Sequence, residues 1–477
     1  MTEPLLRELS RPGRPTLAIG RPDVPATALD IPEALLRDNL PLPEVGELEV
    51  VRHFTRLSQL NFSIDTTFYP LGSCTMKYNP KVNDAMAALP GMRNIHPLQP
   101  EASVQGALQL IHELQDLLAK ITGFDGVSLT PAAGAHGELA GMLMIRAAHE
   151  ANGDGERRRR VIIPDSAHGT NPATAAMAGY QVSSVRSDAR GNVDLAALRK
   201  LLDDDVAGLM ITVPSTLGLF DEAMLEVSQL IHEAGGLVYG DGANLNALLG
   251  IVRPRELGLD LMHSNLHKTF TTPHGGGGPG ASAICATEAL VPFLPLPVAA
   301  RRFDGSFYLD EDRPQSIGRL GSFQGHFGML VRAYTYIRMV GADGLHEVSE
   351  AAVLNANYLR QRLSEAFNVA YDRACMHEVV LSGLRGNQVR TIDVAKRLLD
   401  YGVHPPTIYF PLVVPEALMI EPTETETKAT LDAFVDAMLA IAEEAERDPE
   451  LARSAPHTTP IGRLDETAAA RNPVLHW

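Results

Sequence analysis

The chain has 477 residues, 45% of them hydrophobic, which is enough for a large core and more than one domain. Its 41 basic residues face 58 acidic ones, and the resulting net charge of −17 argues against a nucleic-acid or anionic-membrane partner. Three widely spaced cysteines (Cys74, Cys285, Cys375), no CxxC or HExxH arrangement and no membrane-length apolar run lead to the expectation of a soluble cytoplasmic enzyme with no metal site.

The N-terminal stretch MTEPLLRELSRPGRP is too acidic and Pro-rich for a secretory signal. Residues 1–80 show little periodicity apart from a modest helical stretch near LPEVGELEVVRHFTRLSQ, and they read as an extended arm. From Val104 the pattern changes. Val104, Leu108, Ile111, Leu114, Leu118 and Ile121 fall at helical spacing, and Gly123 closes the helix. Strand and helix candidates then alternate. VSLTP precedes GELAGMLMIRAAHEA, RVIIPD precedes NPATAAMAGY, and QVSSV precedes DLAALRKLL. GLMITVP precedes LEVSQLIHEAG, LVYGDGA leads to SNLHKTFTTPHGGGGPG, and GASAICA completes the series. Short β-branched runs between amphipathic helices predict an α/β fold with a mainly parallel sheet covered on both faces. Beyond about residue 330 helices dominate, with strands at EVVLSG and TIYFP. The expected organisation is an arm over 1–80, a large domain over 81–330 and a smaller α+β domain over 331–477.

In sheets of this kind ligands bind beyond the carboxyl ends of the strands, and unusual residues gather at those ends here. TPAAGAHGE (130–138) combines small residues with a helix start, so that backbone N–H groups at Gly134, Ala135 and His136 can approach a phosphate; a plain tight turn is the alternative. His168 follows the strand at 161–164. Asp241 ends an apolar strand, where a carboxylate needs a cation or donor partner, and Ala243 follows it; a helix cap is the alternative. Lys268 lies 27 residues further on. Together these groups suit a ligand with a phosphate, an aromatic face, a ring that gains from a buried anion, and an amine-reactive carbonyl. Pyridoxal 5′-phosphate has all four. The Gly134/Ala135 turn would take the phosphate and His168 would stack on the ring. Asp241 would keep the pyridine nitrogen protonated, and Lys268 would form the covalent Schiff base. The order of Gly turn, His, Asp and Lys matches the large domain of fold type I (aspartate-aminotransferase-like) enzymes.

Several long strings make the resemblance specific. HKTFTTPHGGGGPG, TPAAGAHGELAG, PDSAHGTNPATAAMAGY, YPLGSCTMKYNP, DRACMHEVVLS and GVHPPTIYFP…MIEPTETE resemble the glycine decarboxylase P-protein of the glycine cleavage system, over residues 5 to 427. The length, the early ELSRPGR and SIGRLGSFQGHFGMLVRAYTYI are similar to the lysine-bearing half of two-subunit forms, called subunit 2. The resemblance implies a fold type I enzyme with a seven-stranded-type sheet. It also implies decarboxylation of glycine and transfer of the aminomethyl group to the lipoyl arm of the H-protein, releasing CO2. The implied partner is the sister subunit 1, in a heterotetramer of two of each. Another fold type I amino acid decarboxylase or lyase acting alone, and a non-catalytic scaffold half, are the alternatives.

Further polar residues have assigned or open roles. His267 beside the lysine is expected at the cofactor phosphate or as an acid/base, with packing the alternative. Thr216 is expected on the cofactor hydroxyl, with a strand-end cap the alternative. Thr75, Lys77 and His274 are expected at the substrate or lipoyl channel, although for Thr75 and Lys77 anchoring of the arm is the stronger reading. His377 and Glu378 open a C-terminal strand, where a structural hydrogen bond is the default. Cys74 and Cys375 form a possible redox pair, and Arg157 to Arg160 a solvated patch. The glycine run after His274 suits backbone passing close to a ligand or a facing subunit.

Overall fold

The computed structural model describes residues 3–13, 23–25, 30–38, 40–96, 99–272, 280–323, 325–386 and 389–475. The β-branched runs form a seven-stranded sheet of β1 (Gly126–Ser128), β2 (Arg160–Pro164), β3 (Gln181–Val185), β4 (Val206–Thr212), β5 (Leu237–Gly242), β6 (Leu261–Asn265) and β7 (Ser282–Ala286). Their spatial order is β1-β7-β6-β5-β4-β2-β3. Pairs β2/β3, β2/β4, β4/β5 and β5/β6 are parallel, and β7 runs antiparallel to both neighbours. This is the mainly parallel sheet that the alternation predicts. The pattern reading runs straight from β5 to the lysine segment. The structure places β6 between them, because His263 and Ser264 interrupt its apolar run yet are fully buried.

Successive strand residues supply opposite faces, as the pleat requires. Ile162, Leu209, Val238 and Met262 enter one core, where the helices Gln105–Thr122 and Met224–Glu233 pack. Val161, Met210, Tyr239 and Leu261 enter the other, against Met142, Met144 and Ile145 of the helix Gly134–Ala151. The first helix ends where expected, at Gly123 in the left-handed region (φ 84°). A hairpin of β8 (Val298–Arg301) and β9 (Phe307–Asp310) follows the sheet.

The helical span Phe327–Leu363 is broken at Gly341 (φ 72°). Its first part packs Leu330, Ala333 and Ile337 on the large core. Its second part packs Ala356, Leu359 and Leu363 on a separate core under a second sheet. That sheet contains β10 (Phe367–Val369), β11 (Val379–Leu384), β12 (Thr407–Ile408) and β13 (Ala417–Ile420), all antiparallel, in the order β10-β11-β13-β12. The N-terminal segment crosses this sheet. Leu71 bridges Ile420, Gly72 packs against Met419 where any side chain would collide, and Thr407 Oγ1 donates to Gly72 O at 2.7 Å. Among the described residues no helix is long and apolar enough to cross a membrane.

Candidate active site

The carboxyl ends of β1, β2, β4, β5 and β6 converge on one side of the large sheet. After β1 the chain turns into the helix Gly134–Ala151, whose N-cap, Ala133, is extended and provides no side-chain cap. The first-turn N–H groups therefore point outward with positive potential. Glycine at the first position lets the turn pass close to Asn265, since a Cβ on Gly134 would lie 2.8 Å from the Asn265 amide and push it aside. The Asn265 Oδ1 atom is buried with no hydrogen-bond partner among the described residues. His136, expected among the cofactor contacts through its backbone N–H, has both ring nitrogens on backbone. Ala132 N–H donates to Nδ1 (3.2 Å), and Nε2 lies 3.2 Å from Leu320 O. Its ring props the turn.

Asp241 at the end of β5 is 3% exposed. Asn171 Nδ2 donates to Oδ2 and Ala243 N–H to Oδ1, each at 3.0 Å. His263 on the adjacent β6 brings Nε2 to 3.5 Å of Oδ1, while its Nδ1 lies 2.6 Å from Tyr239 OH. Asp241 is thus held by an amide and a backbone N–H, with the His263 ring beside it, which fix its direction without a full counter-charge of its own. Glu138 completes this buried cluster, accepting from Thr170 Oγ1 at 2.8 Å and Thr174 Oγ1 at 3.3 Å.

Lys268 sits in the one-turn helix Leu266–Thr269 that continues β6. This turn is tied to the β5 loop, because Leu245 N–H donates to Thr269 Oγ1 at 2.9 Å. The ammonium is half-buried and has no hydrogen-bond partner among the described residues. His267 points to β7, with Nδ1 3.1 Å from Ala281 O, and it packs beside the lysine turn. His168 is exposed at the end of β2, with Nδ1 2.7 Å from Thr170 Oγ1 and its ring edge-on to Phe410 at 5.5 Å. Thr216, after β4, is buried and donates its hydroxyl to Ser166 O, so it joins two strand-end loops. His274 and the glycine run lie outside the described residues.

Facing Lys268 across the cleft are the arm and the second sheet. Lys77 is 2% exposed, with Nζ 2.6 Å from Glu424 Oε1 and 3.4 Å from Tyr336 OH. Burial alone would lower its pKa, but the Glu424 carboxylate outweighs that and raises it. Its charge is therefore committed to Glu424. Thr75 N–H and Oγ1 donate to Glu421, and Asn244 Nδ2 donates to both Glu421 Oε1 (2.7 Å) and Thr75 Oγ1. Ser73 N–H donates to Glu378 Oε2 at 3.1 Å. Lys268 lies within electrostatic reach of Cys74, His377, Glu378 and Glu421. Sequence reasoning passed over Glu421, Asn244, Glu138 and His263. The available signal was a polar residue inside or ending an apolar strand, as in LMHSN and ALMIE. Cys74, Cys285 and Cys375 are free thiols.

The donor set fits pyridoxal phosphate. An uncapped helix start with a glycine packed close to the Asn265 amide suits the phosphate, and a buried carboxylate suits the ring nitrogen. An amine without a hydrogen-bond partner suits the aldehyde.

Comparisons with known proteins agree with this geometry. The family model described as glycine cleavage system P-protein matches residues 19–296, and the one described as glycine dehydrogenase, C-terminal domain, matches 348–457. A protein named "probable glycine dehydrogenase (decarboxylating) subunit 2" from Caldanaerobacter subterraneus subsp. tengcongensis is 56% identical over 478 residues, covering 99% of this chain and 98% of the relative. A protein of the same name from Halalkalibacterium halodurans is 58% identical over 479 residues, with coverage of 99% and 98%. Among solved structures, an inhibitor-bound glycine decarboxylase (P-protein) of the glycine cleavage system superposes with a TM-score of 0.72 at 22% identity. The match covers 86% of this chain and 93% of that one, and it supports the fold.

Proposed function

The chain belongs to the glycine cleavage system P-protein family, and from that premise we propose that it is the lysine-bearing subunit of a glycine dehydrogenase (decarboxylating). It would remove the carboxylate of glycine as CO2 and pass the aminomethyl group to the lipoyl arm of an H-protein. The observation that carries this reading is Lys268, an amine with no hydrogen-bond partner among the described residues, on a turn that continues β6. It stands beside a buried, oriented carboxylate at the end of β5.

Bound pyridoxal phosphate supplies an electron sink for the pair of electrons left behind when CO2 departs. Lys268 would hold it covalently. The first turn of the helix Gly134–Ala151 would hold its phosphate, Asp241 its ring nitrogen, and His168 one face of its ring. Asp241, fixed by Asn171 and Ala243, would keep a negative charge where a protonated ring nitrogen is needed. Tyr239 and His263 would preserve the direction of that carboxylate as charge moves. The arm and second sheet close over the lysine from the other side, which excludes water from the reacting atoms.

The subunit 2 names of the relatives support a sister subunit 1 as partner, and a tetramer of two of each is the assembly proposed. Three free thiols suit a reducing, cytoplasmic setting. The test is glycine–bicarbonate carboxyl exchange with this chain, the sister subunit and lipoylated H-protein, each omitted in turn. Exchange only with all three present is the expected result. Exchange undiminished without the sister subunit would instead favour a self-sufficient decarboxylase. Borohydride trapping that labels Lys268→Ala as fully as the parent would overturn the covalent assignment.

A further inference from the structure

We infer that Glu378 and Glu421 act as one proton-sharing carboxylate pair that faces Lys268 and takes up the proton its ammonium releases, a role that rests on the reading of Lys268 above. The backbone alone brings the pair together. Val379 at the start of β11 is registered opposite Ile420 at the end of β13, so the residues one step beyond, Glu378 and Glu421, stand opposite each other across the strand pair. Side-chain oxygens of both lie within 4.8 Å of each other and of a His377 ring nitrogen. Glu378 is 3% exposed and Glu421 1%.

Like charges directly opposite in a sheet repel, and burial sharpens the repulsion. The pair is therefore stable with one proton between its two carboxyls and a net charge of −1. Burial, and for Glu378 the neighbouring Glu421, push the two upward, to about 8 for Glu378 and about 7 for Glu421. The donors decide which of them carries the charge. Glu421 receives Thr75 N–H, Thr75 Oγ1 and Asn244 Nδ2, whereas Glu378 receives Ser73 N–H. Three donors favour the anion on Glu421, and the proton rests on Glu378.

The other titratable groups facing the pair are Lys268, His377 and Cys74. Burial, helped by Lys268, pushes the His377 imidazole down to about 3, so it faces the pair neutral. Its Nδ1 is buried with no hydrogen-bond partner among the described residues. Burial raises the Cys74 thiol despite Lys268, which leaves it uncharged as well. Among the described residues Lys268 is then the one cation opposite a pair of charge −1. When its ammonium gives a proton to the Glu421 carboxylate, an N–H bond breaks and an O–H bond forms. The pair becomes a neutral diacid and the lysine a neutral amine, so the site stays electrically neutral before and after. A buried site favours that condition.

The pair is testable without cofactor. In infrared titration of the cofactor-free full chain, the parent should show the carbonyl band of a protonated carboxylic acid at neutral pH. Glu378→Gln and Glu421→Gln should each abolish it, since the carboxylate left behind pairs with Lys268 alone. Thr75→Val, which removes a donor from the anion without altering charge, should keep the band and move its loss to higher pH. A parent without the band, or a band that survives in both glutamine variants, overturns the shared proton. The second arm follows borohydride-trapped capture of pyridoxal phosphate at Lys268 against pH. The parent's pH limb should coincide with the loss of the acid band, and in the double glutamine variant it should move by about one unit or more. A limb unmoved in the double variant overturns the uptake of the lysine proton. A parent that captures no cofactor at Lys268 overturns the proposed function instead and leaves the infrared result standing.

Discussion

Thr75 donates its backbone N–H (3.0 Å) and its hydroxyl (2.8 Å) to the two oxygens of Glu421, 346 residues away. The arm is thereby pinned to the end of β13 and made part of the wall that faces Lys268. Thr75 holds the clamp in the left-handed region (φ 50°), which a β-branched residue adopts only when its surroundings require it.

Thr75→Ala should leave one Glu421 oxygen short of a donor and destabilise the protein by about 1–3 kcal/mol. Thr75→Ser should restore most of the loss. Urea denaturation measures the difference, and limited proteolysis should show faster cleavage within residues 60–80 for alanine alone. Equal midpoints for parent and alanine variants would mean that the clamp contributes nothing.

Gly134→Ala places a methyl group 2.8 Å from the Asn265 amide, in the space the helix start leaves open. Alanine is the better helix former by about 1 kcal/mol, so overall stability should not fall through the helix itself. Affinity for pyridoxal phosphate, measured by absorbance titration, should drop by about a factor of ten or more, the equivalent of at least about 1.4 kcal/mol. Unchanged affinity would move the phosphate elsewhere.

His263→Leu removes the imidazole 3.5 Å from Asp241 and leaves the Tyr239 hydroxyl without its 2.6 Å partner. Glycine exchange should fall by about tenfold or more, an effect of the size found for groups that orient a ligating or charged side chain. Tyr239→Phe should fall less, because His263 still faces Asp241. The ratio of the two variants in exchange rate, at equal cofactor occupancy, measures the chain of contacts.

The carboxylate pair also shapes stability against pH. Both acids have folded pKa values above their ordinary 4.5, so the native state holds protons that the unfolded state has lost. Their contribution is present at low pH and disappears as pH rises toward about 8. His377 is depressed from 6.5 to about 3, so it acts in the opposite direction and only below 6.5. Above pH 6.5 the pair should add to a decline that His232, raised by its Asp260 hydrogen bond, also feeds, so the pair's share is the part that differs between parent and variant. Glu421→Gln should flatten it, by an amount on the order of a few kcal/mol at alkaline pH. Thermal melts of the cofactor-free chain across that range measure it, and parallel curves for parent and variant would count against the pair.

Much of the large domain was legible in the sequence. Strands β2, β4, β5 and β7 are buried on both faces, so each is a largely apolar run that stands out between amphipathic helices, and Gly123, Gly134, Asp241 and Lys268 break the pattern at element ends. The second sheet was harder to read. β12 has two residues and β10 three, too few for any periodicity to register, and β11 pairs with β13 rather than with β12, the strand that follows it in the chain. β6 was hidden because its polar residues are satisfied internally rather than turned to solvent.

The sequence by itself determined which residues the proposed chemistry rests on: a lysine, an aspartate and a glycine helix start, each a costly choice at an apolar strand end. Only the tertiary structure decided what faces that lysine. Glu378 and Glu421 are harmless 43 residues apart along the chain. They become a proton-sharing pair because the β11/β13 register sets them opposite each other, and because the arm lies across them and removes water. Charge repulsion and desolvation act through distances in space, which local sequence patterns do not encode.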